Sequence, residues 1–163
     1  MRTTITDRLL SVLVALWVGG GLFFFTIAAP AAFRGSSDRF TAANVVGQML
    51  SKWHLIALLI PAALVAVEWK RGFRRDARWA ILVTAVFLAA AESIFDLRIR
   101  AIRNRSAVPI SHLSSSDPMR KEFGLLHGLS TVLAGANVLA GIVLLMRRDA
   151  DRRETEPSDV GTI

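Results

Sequence analysis

Four long apolar stretches, set apart by short polar or charged ones, give this chain its pattern. The first runs from Leu9 to about Phe33, the second from about Lys52 to Trp69, the third onward from Trp79, and the fourth from Phe123 to Met146. The fourth holds no Asp, Glu, Lys or Arg, and it exceeds the roughly 20 residues that cross a bilayer core as a helix. Apolar residues gathered into blocks of this length, rather than spread at amphipathic spacing, predict an all-α integral membrane bundle of four helices. The spans are expected over 9–32, 52–69, 79–98 and 123–146, so residues 1–146 form one transmembrane domain. Residues 147–163 carry mixed charge and almost nothing apolar to bury, and a disordered polar tail is expected there.

Finer patterning predicts how the helices meet. In the fourth stretch His127, Ser130, Ala134, Asn137 and Gly141 recur at spacings of three and four, which places them on one helical face. That small, polar stripe should turn toward partner helices, because unpaired polar groups in hydrocarbon are costly. Gly124 and Gly128 form a GxxxG pair suited to close backbone approach, and Leu144 falls on another face. The other three helices are therefore expected to pack around the fourth. Gly20, between two further glycines, suits close packing in the first helix, and Pro30 marks its last turn or a kink.

The connections carry their own signals. The basic start and AAPAA of the first stretch resemble a signal peptide, but its apolar run is too long for one, so a retained helix is expected. Between 34 and 51, Ser37 or Asp38 caps a short helix with Phe40, Ala43, Val46 and Leu50 on one face. This pattern predicts an interfacial amphipathic helix between helices 1 and 2. Trp53 and Trp69 stand at the ends of the second span, where interfacial anchors belong. Asp117 followed by Pro118 is a helix start.

Charge and cysteine content narrow the function classes. The net charge is +7, but the basic residues lie beside hydrophobic ends, where they meet lipid headgroups, so the lipid bilayer and not nucleic acid is the expected partner. There is no cysteine, which removes disulfides, thiolate metal sites and cysteine nucleophiles. Of the Lys and Arg, 11 belong to the N-terminus, second loop and C-terminus and 9 to the first and third loops. That narrow excess predicts both termini in the cytoplasm; the expected location is a bacterial cytoplasmic membrane, crossed several times.

The candidate chemistry gathers at one membrane face. His54 begins the second span, His127 begins the fourth, and Glu92 and Asp96 lie one turn apart where the third leaves its apolar run. With Ser130 they form a candidate binding cluster, since ionisable residues within spans are functional candidates. Three readings compete. In a structural one, Asp96 pairs with Arg100, Glu92 bonds His127 or Ser130, and His54 sits among headgroups. In the second, imidazole and carboxylate bind a proton or a metal ion. In the third, His54 and His127 hold a b-type haem between facing helices. No cofactor is demanded by any motif, and no phosphate loop, nucleophile elbow or H-E-x-x-H is present to suggest an enzyme.

Three stretches together, LWVGGGLFFFTIAAPAAF at 16–33, the Trp53-His54 pair and FGLLHGLSTVLAGANVLAGIVLL at 123–145, resemble the transmembrane-protein-205-like family, also called domain of unknown function 4149. The positions that match its motif are Gly20, Pro30, Phe33, His54, Phe123, His127 and Ser130. The resemblance implies a four-helix membrane protein, in animals one associated with drug resistance and secretory traffic, and it brings no catalytic residue or cofactor. The leading expectation is a transporter-like or resistance-associated protein that handles a small molecule or ion at the His/Glu/Asp cluster. Since one four-helix bundle is small for alternating access, a homo-oligomer goes with it. The alternatives are a non-catalytic accessory or scaffold subunit held to partner membrane proteins through its glycine faces, and a haem-binding electron carrier.

Overall fold

A computed structural model describes residues 5–70 and 77–155. Its elements are helices α1 (Ile5–Phe23), α2 (Ala29–Gly35), α3 (Arg39–Lys70), α4 (Ala77–Arg105) and α5 (Pro118–Thr155), with a 3-10 turn at Ile110–His112. One π-helical turn, Phe24–Ala28, joins α1 to α2 without a break, so the two form a single span. Its wider ring is closed by the Ala29 N–H, which donates to the Phe24 carbonyl. Pro30, just beyond, has no N–H to return to the regular ladder, which gives the local departure from α geometry a cause. The Thr26 hydroxyl donates to the Leu22 carbonyl at 2.6 Å in the same region.

Four helices are long and apolar enough to cross a membrane: Arg8–Gly35, Arg39–Lys70, Ala77–Arg105 and Pro118–Arg147. The chain is thus an all-α, four-helix transmembrane bundle, and no strand occurs among the described residues. Each helix neighbours the next in sequence, and α5 returns to pack on α1, so the bundle is a closed square. The fourth span is therefore a corner of the square and not its centre, a correction to the arrangement its polar stripe predicts.

The interfacial helix expected between helices 1 and 2 does not stand apart. Asp38 caps the helix as expected, accepting from the Thr41 N–H at 2.8 Å. Hydrogen bonds from Thr41 hold its carboxyl below the usual carboxylate range. The helix that begins there then runs unbroken to Lys70. Nothing near residue 51 ends it, since Gln48, Ser51 and Lys52 are all compatible with a helix interior. Asp117 caps α5 in the same manner, accepting from the Met119 N–H at 2.8 Å. At its other end α5 continues past Met146 to Thr155, and the rest of the expected polar tail lies outside the described residues.

The core fills the half of the bundle that holds the termini. Leu10, Val14 and Trp17 of α1 meet Leu64 of α3, Leu82 and Ala85 of α4 and Leu144 of α5, all buried. Leu144 is thus a core residue, against its expected place on another face. Asn137 ties three spans together: it accepts from the Trp17 indole at 2.8 Å and donates to the Ala85 carbonyl at 2.9 Å, both inside the core. Three glycines let these spans approach. A methyl group on Gly20 would collide with the Trp53 ring, on Gly21 with Val138, and on Gly141 with Val18. Trp53, expected as an interfacial anchor, has its ring tucked against Gly20. By contrast, Gly124 and Gly128 have nothing within 4 Å of an added methyl. No other helix comes close to them there, and Gly124 instead borders an open cavity. Leu16, Leu59, Phe87, Val132 and Leu139 make an exposed apolar belt of the kind lipid covers.

Two glycines on one helix give the test. Gly141→Ala should lose about 1–3 kcal/mol to overpacking against Val18 and Trp17, partly offset by the ~0.5–1 kcal/mol that alanine gains in a helix. Gly128→Ala should be neutral or slightly stabilising. Asn137→Leu should cost about 1–3 kcal/mol by stranding the Trp17 indole N–H. Unfolding midpoints in mild detergent read all three, and equal behaviour of the two glycine variants would contradict this packing.

Candidate functional site

The half of the bundle away from the termini is open. Two cavities lie there, of about 510 and 450 Å³. They share the wall formed by Phe33, Ala43, Arg103 and Phe123, so together they form one cleft between the ends of all four spans. The first cavity is roofed by the segment from Ser106 to Ser111, and Arg39, Phe40 and Arg120 also face it. The second reaches deeper, to Gly47 and Leu50 of α3, Asp96 of α4 and Ser130 of α5. The face of α3 that suggested an interfacial helix is the face that lines this cleft: Phe40, Ala43, Val46 and Leu50 all border it.

The cleft is aromatic and basic at once. Arg100 is bound to Asp96 one turn back on α4, with Nε at 3.0 Å from the carboxylate. Arg120 donates to the Leu113 carbonyl at 2.6 Å. Arg103 donates through Nη2 to the Asn44 side-chain oxygen at 2.9 Å, across from α4 to α3. His127 is exposed and stacks on Phe123, ring centroids 5.9 Å apart and planes 12° from parallel. Ser130, one turn deeper, is buried.

Below the cleft lies a separate pair. His54 and Glu92 are nearly sealed from solvent, with Nε2 and Oε2 3.5 Å apart. This is ion-pair distance without a hydrogen bond: neither imidazole nitrogen of His54 nor Oε1 of Glu92 has a partner. His54 lies one turn beyond Leu50, and Glu92 one turn beyond Asp96, so the pair sits about 5–6 Å past the lining of the cleft. Its two groups are neutral together in either arrangement of one proton, as imidazolium with carboxylate or imidazole with carboxylic acid. Either arrangement suits a site without water better than a lone charge.

The expected cluster of His54, Glu92, Asp96, His127 and Ser130 is therefore divided. Asp96, His127 and Ser130 line the second cavity, whereas His54 and Glu92 are closed in against each other. Among the described residues no three His, Cys, Asp or Glu side chains converge to hold a metal ion. A haem between His54 and His127 fails for a related reason, since one is sealed beside Glu92 and the other stacks on Phe123 in the cleft. The small-molecule or ion-handling reading that rested on a His/Glu/Asp cluster falls with it, and Glu92 pairs with His54 rather than with His127 or Ser130. The Asp96–Arg100 pair is as the structural reading has it. His112 ends the 3-10 turn, exposed. Sequence reading missed Asn44, Gly47 and Arg103. The spacing of the first two, three apart, puts both on one side of a helix, but the charge of Arg103 reads as one more topology signal until α3 is beside it.

Residues 12–106 match a family profile described as domain of unknown function (DUF4149), over more than half of the chain. The matched part covers the first three spans and stops before the Phe123–Ser130 motif. No match was found among curated proteins or among solved structures. Of the motif positions read from the sequence, Phe33, Phe123, His127 and Ser130 border the cleft.

The buried pair gives a double-variant test. His54→Leu or Glu92→Met alone leaves the other polar group facing an apolar side chain, which costs about 1–3 kcal/mol. Making both changes together should recover most of that loss. The coupling is read from unfolding in detergent across the four proteins, and a double variant no more stable than the worse single one would show that the two side chains do not depend on each other.

Proposed function

The chain belongs to the DUF4149 family, and from the geometry of this member we propose that it binds an amphipathic molecule in the cleft between the loop-side ends of its spans. One observation carries the reading: two confluent cavities share a wall in which phenylalanines and an arginine stand side by side. Such a wall offers an apolar body and a charged head their separate surroundings within one site. Ligand pockets of ~300–1,000 Å³, mostly apolar with a few placed polar groups, are of the ordinary size for small molecules. The location supports the same reading. The cleft lies where α4 changes from apolar to charged, the depth at which an amphiphile in a bilayer has its own polar boundary. The buried His54–Glu92 pair takes no part in this function; it belongs to the packing beneath the site.

The orientation follows from charge. With 11 basic residues on the side of the termini and second loop against 9 on the other, both termini lie in the cytoplasm and the cleft opens on the opposite face.

Ala43 borders both cavities, so Ala43→Trp should fill the cleft and abolish binding of added amphiphile, measured by native mass spectrometry from mild detergent. Phe87→Trp, on the exposed belt, should leave it unchanged. Retention of the amphiphile by the Ala43 variant would remove the cleft from consideration. For orientation, reporter fusions after residues 36 and 112 should be external and one after residue 150 cytoplasmic; a cytoplasmic residue 112 would reverse the assignment.

A further inference from the structure

Arg103 is a cation held in the cleft wall by Asn44 and paired with no carboxylate among the described residues. It is half-buried in the wall common to both cavities. Asn44 accepts one of its N–H groups at 2.9 Å. Gly47, nearly one turn along α3, leaves room for the other terminal nitrogen: a methyl group there would lie 3.1 Å from Nη1. Asn44 thus holds the guanidinium beside the space that Gly47 leaves, and neither residue brings negative charge. The closest acid on its own helix face, Asp96, is occupied by Arg100. No carboxylate pairs with Arg103 among the described residues. A guanidinium has five donors, and among the described residues Asn44 takes one of those of Arg103. Donors of Arg103 that face the cavity are available to an anion that enters it.

The surroundings specify which anion. Arg39 and Arg120 border the first cavity beside Arg103, so three guanidiniums share it. Arg39 has no partner among the described residues, and Arg120 makes one bond to a carbonyl. A carboxylate has two oxygens and one charge. A phosphate ester has more acceptor oxygens and, as a monoester, charge approaching −2, and it matches the planar guanidinium fork. Phe33 and Phe123 in the same wall exclude a wholly hydrophilic ligand as the best fit.

Resting on the amphiphile reading above, we infer that the cleft binds a lipid through its phosphate, seated on Arg103 and attracted by Arg39 and Arg120, with the acyl part against Phe33 and Phe123. Arg103 is the anchoring residue, and Asn44 and Gly47 position it.

Purified protein in non-ionic detergent is titrated with short-chain phosphatidic acid, short-chain diacylglycerol and inorganic phosphate. Phosphatidic acid should bind, more weakly as salt is raised, and the other two should not bind measurably over the same range. Arg103→Gln should raise its Kd at least tenfold. Arg103→Lys should fall between, because a point charge cannot form the fork. Gly47→Ala, which crowds the guanidinium at 3.1 Å without removing it, should also weaken binding and guards against a folding defect at Arg103. Arg98→Gln, exposed and bordering neither cavity, should bind as the parent does. Unchanged affinity in both Arg103→Gln and Gly47→Ala overturns the inference. Diacylglycerol binding as tightly as phosphatidic acid, with both lost in Ala43→Trp, overturns it while leaving the amphiphile reading intact. Inorganic phosphate binding as tightly as the lipid makes the site one for free phosphate and overturns the lipid assignment. Binding of none of the three removes both readings.

Discussion

The helices of this bundle are longer than the membrane they cross. A helix rises 1.5 Å per residue, so the 32 residues of Arg39–Lys70 extend ~48 Å against a hydrocarbon core of ~30 Å. Backbone groups in hydrocarbon must be bonded within the helix, so a span cannot shed its surplus as loop inside the core. The surplus must emerge at one end or the other. In α4 the composition decides which end, since its apolar run gives way at Glu92 to Asp96, Arg98, Arg100, Arg103 and Arg105. Its neighbours α3 and α5 follow with Arg39, Arg120 and Lys121 at the same end. Half the bundle is therefore freed from the requirement to be apolar all round, and that half holds the cleft.

The other half obeys the membrane rule strictly, and its packing shows how. Lipid tails are as apolar as leucine, so burying leucine drives little association there; close contact and internal hydrogen bonds must do it. Gly20, Gly21 and Gly141 supply the contact by receiving Trp53, Val138 and Val18. Asn137 supplies the bonds, and its placement lets one side chain satisfy a donor on α1 and reach a carbonyl on α4. A tight terminal half holds the four spans in register, which lets the opposite ends stand apart around a cleft without the bundle coming open.

Much of this was legible in the sequence, for reasons that differ from residue to residue. The four spans are read from apolar length, a signal that tertiary context rarely overrides in lipid. The inward face of Asn137 and Gly141 followed from the cost of polar groups in hydrocarbon. A GxxxG pattern reports capacity for close approach and not the presence of a neighbour, and at Gly124 and Gly128 no atom of another helix lies within 4 Å of an added methyl. Leu144 misled, since in a membrane an apolar residue fits both the core and the lipid face. The candidate cluster failed in its depth. Taking residue 52 as the start of the second span put His54 near the boundary, whereas α3 begins at Arg39 and carries His54 well inside. That shift moves His54 beside Glu92 and leaves His127 in the cleft. The seat of Arg103 could not be read at all, because Asn44 and Gly47 lie some 60 positions away.

The buried pair and the cleft are related through depth. Below Leu50 and Asp96 the next inward-facing polar groups on α3 and α4 are His54 and Glu92, which face each other across the gap at 3.5 Å. Beyond them the next buried positions on these two helices, Ala57 on α3 and Ala89 on α4, are apolar, and the one polar side chain of the core there, Asn137, has its amide bonded to Trp17 and Ala85. A charged headgroup entering the cleft therefore meets its last cationic partner at Arg100 and Arg103 and has no reason to move deeper. Under the proposed function the cleft would hold a polar head, with the packed residues beneath it as its floor. On that proposal, binding at one face is expected rather than passage through the bundle, and the histidine–glutamate pair belongs to the packing beneath the cleft.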